Sequence, residues 1–173
     1  MAILAVDGFE QVELTGPRDA LAGQGARTAL VSAARGTVQG MHHDRKADRF
    51  EVDLTFAEAQ PGDFDAVLLP GGVVNADEIR LHPQAREFVR AMERQGKPIA
   101  VICHGPWLLA SADLVRGRKL TSWPSLQDDL RNAGAQWVDE EVVVDGQLVS
   151  SRKPDDIPAF NRAMLRVFQA AVH

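Results

Sequence analysis

The one cysteine of the chain, Cys103, lies next to residues that are common in catalytic sites. Cys103 follows the apolar run 99–102 and precedes His104, Gly105 and Pro106. The run is typical of a strand buried on both faces, and the glycine and proline favour a turn into a helix. Helix N-terminal N–H groups favour a thiolate over a thiol, so we predict that Cys103 is a nucleophile with a lowered pKa. The alternative is a small buried hydrophobe without chemistry.

Two other strand ends carry candidate partners for this sulfur. Glu10 follows the first predicted strand, and Gly71 and Gly72 follow the third. In a parallel sheet, ligands bind at the carboxyl ends of the strands, so we expect these residues to meet Cys103. A carboxyl group buried beside a thiolate has a raised pKa, and we predict that Glu10 stays protonated and donates to the sulfur. The amides of Gly72 and His104 are predicted to receive a developing oxyanion.

His104 is the candidate acid or base. Its ring must fold back over the pocket to act, and a surface histidine near the helix start is the alternative. A catalytic histidine needs a carboxylate to orient it. Asp77 and Glu78, on the segment after the third strand, are the candidates.

Strands and helices are predicted to alternate along the chain. Buried strands are predicted at 2–6, 26–33, 64–69 and 99–102, a hairpin at 141–150, and helices at 12–22, 55–59, 83–95, 124–133 and 157–172. Strand–helix–strand order favours right-handed crossovers and parallel pairing. The pattern predicts an α/β protein, a flavodoxin-like three-layer sandwich with a mainly parallel sheet, in one domain over residues 1–173.

Composition restricts the partners. The net charge is −5, and no basic stripe with interleaved aromatics is present, so we expect no nucleic-acid partner. The opening apolar segment, residues 1–6, is short and lacks a basic flank, so we expect neither a signal peptide nor a membrane segment. A lone reactive thiol is best preserved in a reducing compartment, which predicts a cytoplasmic protein.

No cofactor or metal is expected. The chain has no phosphate-binding glycine loop. His42, His43 and Asp44 are adjacent in sequence and raise the thought of a metal site. Neighbouring side chains on extended backbone point to opposite faces, however, so we interpret this segment as a solvated loop.

The motifs named above are similar to those of a known family. The chain resembles the PfpI (intracellular protease I) branch of the DJ-one/PfpI superfamily, relatives of the class I glutamine amidotransferases, through Ala-Val-Ile-Cys-His-Gly-Pro (100–106), Leu-Pro-Gly-Gly (69–72), Gly-Phe-Glu (8–10), Glu-Leu (13–14) and Thr-Ser-Trp-Pro (121–124). The resemblance implies a Cys103 nucleophile, a Glu10 hydrogen-bonded to the thiol, and a His104 completed by an acid of a neighbouring subunit. Alignment to Arg80 and Leu81 puts that acid at Asp77 rather than Glu78. It also implies at least a dimer, and hexamers occur in the family.

The resemblance leaves several activities open. The first is a stress-protective enzyme that acts on methylglyoxal or early glycation adducts, as a glutathione-independent glyoxalase or protein deglycase. The second is an intracellular cysteine peptidase. The third is an oxidative-stress sensor in which Cys103 is oxidised, and the fourth is a pseudoenzyme that keeps only the fold.

Overall fold

A computed structural model describes residues 1–172. The helices are α1 (Gln11–Gly23), α2 (Val73–Ile79), α3 (Pro83–Arg94), α4 (Pro106–Ser111), α5 (Gln127–Asn132) and α6 (Ile157–Val172). The strands are β1 (Ala2–Leu4), β2 (Phe9–Glu10), β3 (Ala29–Ser32), β4 (Thr37–His42), β5 (Arg45–Glu51), β6 (Leu54–Thr55), β7 (Val67–Leu69), β8 (Ile99–Ile102), β9 (Lys119–Leu120), β10 (Gln136–Trp137), β11 (Val142–Asp145) and β12 (Leu148–Ser151).

The central sheet has seven strands in the order β11-β12-β8-β7-β1-β3-β6. Every neighbouring pair is parallel except β11 and β12, the hairpin expected at 141–150. The prediction of a mainly parallel sheet is therefore confirmed. Parallel pairing brings the carboxyl ends of β1, β7 and β8 to one edge, where the segments containing Glu10, Gly72 and Cys103 begin.

Helices cover both faces of this sheet. Alternate strand residues divide between two apolar cores, as the pleat requires: Val101 faces one and Ile102 the other. Helices α1 and α6 pack on the face of Ile102, while α3, α4 and α5 pack on the opposite face. This is the three-layer arrangement expected from the sequence.

Two predicted helices differ from the structure. Residues 56–58 form only a turn, although Thr55 and Glu58 exchange hydrogen bonds typical of a helix start. Pro61 and Gly62 follow too closely for a helix to propagate. The predicted helix at 124–133 begins with a 3₁₀ turn, Pro124–Leu126, before α5.

A second, three-stranded sheet joins β2, β4 and β5. Its β4–β5 hairpin lies in the segment for which the sequence indicated an edge strand or small hairpin, and it extends beside the start of α1. Across residues 1–172, no helix combines the length and apolarity that crossing a membrane requires.

Candidate active site

Cys103 occupies a sharp turn between β8 and α4. Its φ angle is 63°, in the left-handed region that non-glycine residues rarely adopt. Its N–H donates to Ser151 O at 3.0 Å, and its carbonyl accepts from Trp123 N at 2.9 Å. These two backbone bonds hold the strained conformation, which is a feature that clusters at functional sites.

Glycines make room for the elbow. A Cβ on Gly71 would lie 2.5 Å from Glu13 Oε1 and 2.7 Å from Cys103 Cβ. Gly72 has φ 89°, and a Cβ there would lie 2.4 Å from Gly8 O. The chain after β7 can therefore approach the sulfur only because both positions lack a side chain.

Three hydrogen-bonding groups surround the sulfur. The backbone amides of Gly72 and His104, the predicted oxyanion donors, lie beside Cys103 Sγ and lower the pKa of its thiol. The third group is the carboxyl of Glu13, which interacts with the same sulfur. In the free protein the two amides thus face the sulfur, so their role toward an oxyanion stays a prediction.

Glu13, in the first turn of α1, is fully buried. Its Oε1 accepts from Gly71 N at 3.0 Å, while Oε2 is buried without a hydrogen-bond partner. Burial, and next the charge of Glu10, raise the pKa of Glu13 to about 8. Glu13 therefore keeps its proton at neutral pH and can donate it to the sulfur.

The carboxyl group beside the Cys103 thiol is not Glu10, as predicted, but Glu13. Glu10 ends β2, and its Oε2 and Oε1 accept from the backbone N–H of His43 at 3.1 and 3.3 Å. The contact expected of Glu10 is made by Glu13, because the helix that follows β2 turns position 13 toward β7 and β8. No role was predicted for Glu13, which appeared only in the Glu-Leu motif at 13–14.

Burial changes the expected ionisation of Cys103. The side chain is 7% exposed, and burial, followed by the charge of an ionised Glu13, raises the pKa of the thiol. The amides of Gly72 and His104 act in the opposite direction. The prediction of a lowered pKa considered only the amides and is wrong, because burial is the largest effect and raises the pKa whether or not Glu13 is charged. Once Glu13 holds its proton, the repulsion between the two anions disappears and the carboxyl can act as a further donor.

His104 lies over the pocket, beside the sulfur. Its Nδ1 is 3.2 Å from Cys103 Sγ. The ring stacks on Trp123 with centroids 5.8 Å apart and meets the edge of Trp107 at 5.5 Å. Burial lowers the pKa of His104, so the ring is neutral at neutral pH and can accept the thiol proton.

The two carboxylates predicted to orient His104, Asp77 and Glu78, do not contact the His104 of the same chain. Asp77 and Glu78 lie on α2 and are exposed. Glu78 lines a separate cavity with His82 and Arg35. Neither residue lines the cleft that contains Cys103, so one chain alone does not assemble the expected acid with its histidine.

His42 and His43 depart from the extended geometry expected of them. His43 has φ 55° and begins the tight turn of the β4–β5 hairpin. The two rings consequently lie on the same side, with centroids 4.9 Å apart, near Glu10. The expectation that these two histidines point to opposite faces, and so cannot share a metal ion, is therefore wrong.

A cleft of about 500 Å³ opens above Cys103. Its lining includes the catalytic candidates Glu13, Cys103 and His104. Its other walls come from β2, the β4–β5 hairpin, the start of α2 and three connecting segments: Gly8, Glu10, Met41, His43, Asp44, Gly72, Val73, Val74, Trp123 and Pro154. A volume of this size accommodates a small molecule.

The chain is similar to proteins of one family along nearly its whole length. The model of the DJ-1/PfpI family matches residues 1–167. A Pyrococcus horikoshii protein named a deglycase is 45% identical over 166 residues, which are 96% of this chain and 97% of the relative. A Bacillus subtilis protein, provisionally named a cysteine protease, is 37% identical over 170 residues, 98% of each chain.

A solved structure is similar in fold as well as sequence. It is a two-domain protein from Anabaena variabilis with DJ-1/ThiJ/PfpI-like and ferritin-like domains, 35% identical with a TM-score of 0.89. The match covers 95% of this chain and 46% of that one. The sequence match, the shared fold and a cysteine elbow at the edge of the parallel sheet lead to one conclusion: the chain belongs to the DJ-1/PfpI family.

Proposed function

We propose that this protein is a cysteine-dependent deglycase and glyoxalase that acts on methylglyoxal and on its early adducts with amines. The observation that carries the proposal is Cys103 Sγ, 3.2 Å from the neutral His104 and beside the buried carboxyl of Glu13. A base and an acid thus flank one nucleophile in a cleft sized for a small substrate. The deglycase name of the Pyrococcus horikoshii relative supports the same substrate class.

The first step forms a carbon–sulfur bond. His104 takes the proton from Cys103, and the sulfur adds to the aldehyde carbon of methylglyoxal. The carbonyl π bond breaks, and its oxygen takes a proton from Glu13 to give a hemithioacetal. With a hemiaminal of a protein amine, the same carbon–sulfur bond forms while the carbon–nitrogen bond breaks, and the amine leaves with the proton held by His104.

The second step moves a hydrogen within the substrate. The carboxylate of Glu13 removes the proton from the carbon bonded to sulfur, while the ketone oxygen takes the proton held by His104, so that an enediol forms. Return of a proton to the neighbouring carbon gives a thioester of lactate. Water then cleaves the carbon–sulfur bond, which releases lactate and restores the thiol. Methylglyoxal and one water become lactate, so no external oxidant or reductant is needed.

The test compares wild-type protein with Cys103→Ala and His104→Gln. We expect wild type to convert methylglyoxal to lactate and to release free amine from methylglyoxal-treated peptides. Both variants should lose at least about a hundredfold in rate, since each removes a reacting group. Equal rates for wild type and Cys103→Ala would contradict the proposal.

Peptide hydrolysis is the second candidate, favoured by the Bacillus subtilis relative. Amide cleavage requires a proton for the leaving amine, which His104 would supply after taking it from Cys103. Unfolded casein is a suitable substrate. Hydrolysis that disappears on alkylation of Cys103 would support peptidase activity, whereas hydrolysis that persists would point to a contaminating protease.

Asp77 is proposed to complete the site of a second subunit. Val73 and Val74, which precede it on α2, are 53% and 54% exposed at the edge of the cleft. Apolar side chains beside an active site are typical of surfaces that a partner covers. A second copy of this chain, packed there, would bring its Asp77 toward His104. A homo-oligomer, a dimer at least, and a cytoplasmic location with its reducing environment are parts of this proposal.

A further inference from the structure

A group of metal-ligating side chains lies at the rim of the cleft, apart from the reacting sulfur. Ligand atoms of Glu10, His42 and His43 all lie within 4.8 Å of one another. Glu10 and His43 line the cleft, whereas His42 does not. The three come from two neighbouring strands, β2 and β4, and from the turn after β4.

The backbone holds this group together. The left-handed φ of His43 brings its ring to the side of His42, and the N–H of His43 donates to both oxygens of Glu10. A carboxylate has about four lone-pair positions, so that single donor leaves Glu10 able to bind a cation. The residue that positions the carboxylate is thus itself a potential ligand.

The ligand set fits a transition metal ion. Two imidazoles and one carboxylate suit Zn²⁺ and similar divalent ions, whereas Ca²⁺ and Mg²⁺ prefer oxygen ligands alone. Zinc–ligand distances of about 2 Å place tetrahedral ligands roughly 3.3 Å apart, so the group must contract slightly. Both imidazoles are exposed and can rotate to do so.

We propose that Glu10, His42 and His43 bind one zinc-class divalent ion at the mouth of the Cys103 cleft. Three protein ligands leave a fourth tetrahedral position open, which a water molecule or a substrate oxygen can occupy. This inference does not depend on the proposed deglycase activity, and its test measures metal binding alone.

The experiment is calorimetric titration of Zn²⁺ into the full chain in a Cys103→Ala background, which removes the competing thiol. We expect one ion to bind per chain. Each of the substitutions His42→Ala, His43→Ala and Glu10→Gln, introduced singly into this background, should weaken zinc binding at least tenfold. The matched control is His82→Gln, which removes a histidine outside the group and should leave the affinity unchanged.

Two further measurements keep the result interpretable. Circular dichroism melting checks that each variant folds, and the exposed His42 and His43 can be replaced without emptying the core. A zinc-soaked crystal should give an anomalous peak between the three residues. Failure of the parent to bind, an affinity unchanged by both histidine substitutions, or a peak elsewhere would overturn the proposal.

Discussion

The proton on Glu13 controls the charge beside Cys103. With its pKa at about 8, this buried acid is neutral at neutral pH and meets the sulfur as a donor. Above that pH it becomes an anion and opposes a thiolate. The same side chain therefore changes from a stabilising to a destabilising neighbour as the pH rises.

Replacing Glu13 tests this dependence. Glu13→Leu removes the donor and keeps the site apolar, and we expect the midpoint of Cys103 alkylation to rise by about 1–2 pH units, because a hydrogen bond to a charged group contributes about 1.5–3 kcal/mol. Glu13→Gln keeps a weaker donor and should give a smaller rise. Iodoacetamide labelling across pH, followed by intact mass, measures the midpoint.

A lower midpoint in both variants would mean that Glu13 is already an anion and would contradict its role as a donor. Glu10→Gln is the comparison at the neighbouring carboxylate. Because Glu10 contacts the backbone of His43 rather than the sulfur, its substitution should move the midpoint less than Glu13→Leu does.

The sequence predicted the place of Cys103 in the fold better than the carboxyl group beside it. Cys103 stands in a motif with a local structural meaning, a buried strand followed by glycine and proline. The choice between Glu10 and Glu13 depends on where α1 begins and how it packs on the sheet. A shift of about one helical turn along the chain decides which carboxyl lies beside the sulfur, and local spacing does not fix that position.

The elbow between β8 and α4 depends on close backbone packing at Gly105. A Cβ there would lie 2.7 Å from Val101 Cγ2 and 2.9 Å from Leu69 O. Leu69 ends β7, so the contact joins the two strands whose ends carry the site. The elbow is therefore fixed by neighbouring strands as well as by its own dihedral angles.

Gly105→Ala should destabilise the fold by about 1–3 kcal/mol, because backbone atoms must move to admit a methyl group. Chemical denaturation monitored by circular dichroism measures the change. The matched control is Gly23→Ala at the end of α1, where a Cβ meets nothing within 4 Å. The control should be neutral or slightly stabilising, and equal losses in both variants would contradict the packing argument.

At the level of elements, the strands of the central sheet were the most predictable. Short, fully apolar runs such as 99–102 are typical of strands that are buried on both faces of a parallel sheet, so their position in an α/β chain is easy to predict. The β4–β5 hairpin was less predictable, since the left-handed residue in its turn is His43 rather than glycine or asparagine. That one dihedral angle also decides the relation of His43 to His42.

At the scale of the whole molecule, the proposed role of Asp77 is to orient His104 of a second subunit. We expect Asp77→Ala to lose at least about tenfold, and Cys103→Ala at least about a hundredfold, in the rate of methylglyoxal consumption. Mixed dimers of the two variants contain one site with both residues intact, so co-expression should restore about a quarter of the wild-type sites. The assay is methylglyoxal consumption by the purified mixture.

Glu78→Ala is the matched control, because Glu78 is the adjacent carboxylate on α2. It should keep its activity. An inactive mixture would contradict a site shared between subunits, and loss of activity in Glu78→Ala alone would transfer the orienting role to that residue. The proposed contribution from a second chain would explain why neither sequence spacing nor one folded chain brings the acid to His104.

The stacking of Trp123 on His104, with Trp107 at the ring edge, gives the protein an internal optical reporter. The chain has three tryptophans and no tyrosine, so two of its three ultraviolet emitters touch the imidazole of the site. A positive charge on that imidazole would lie against an indole face and alter its emission. Titration of the reacting group, and arrival of substrate above it, can thus be followed by intrinsic fluorescence without any label.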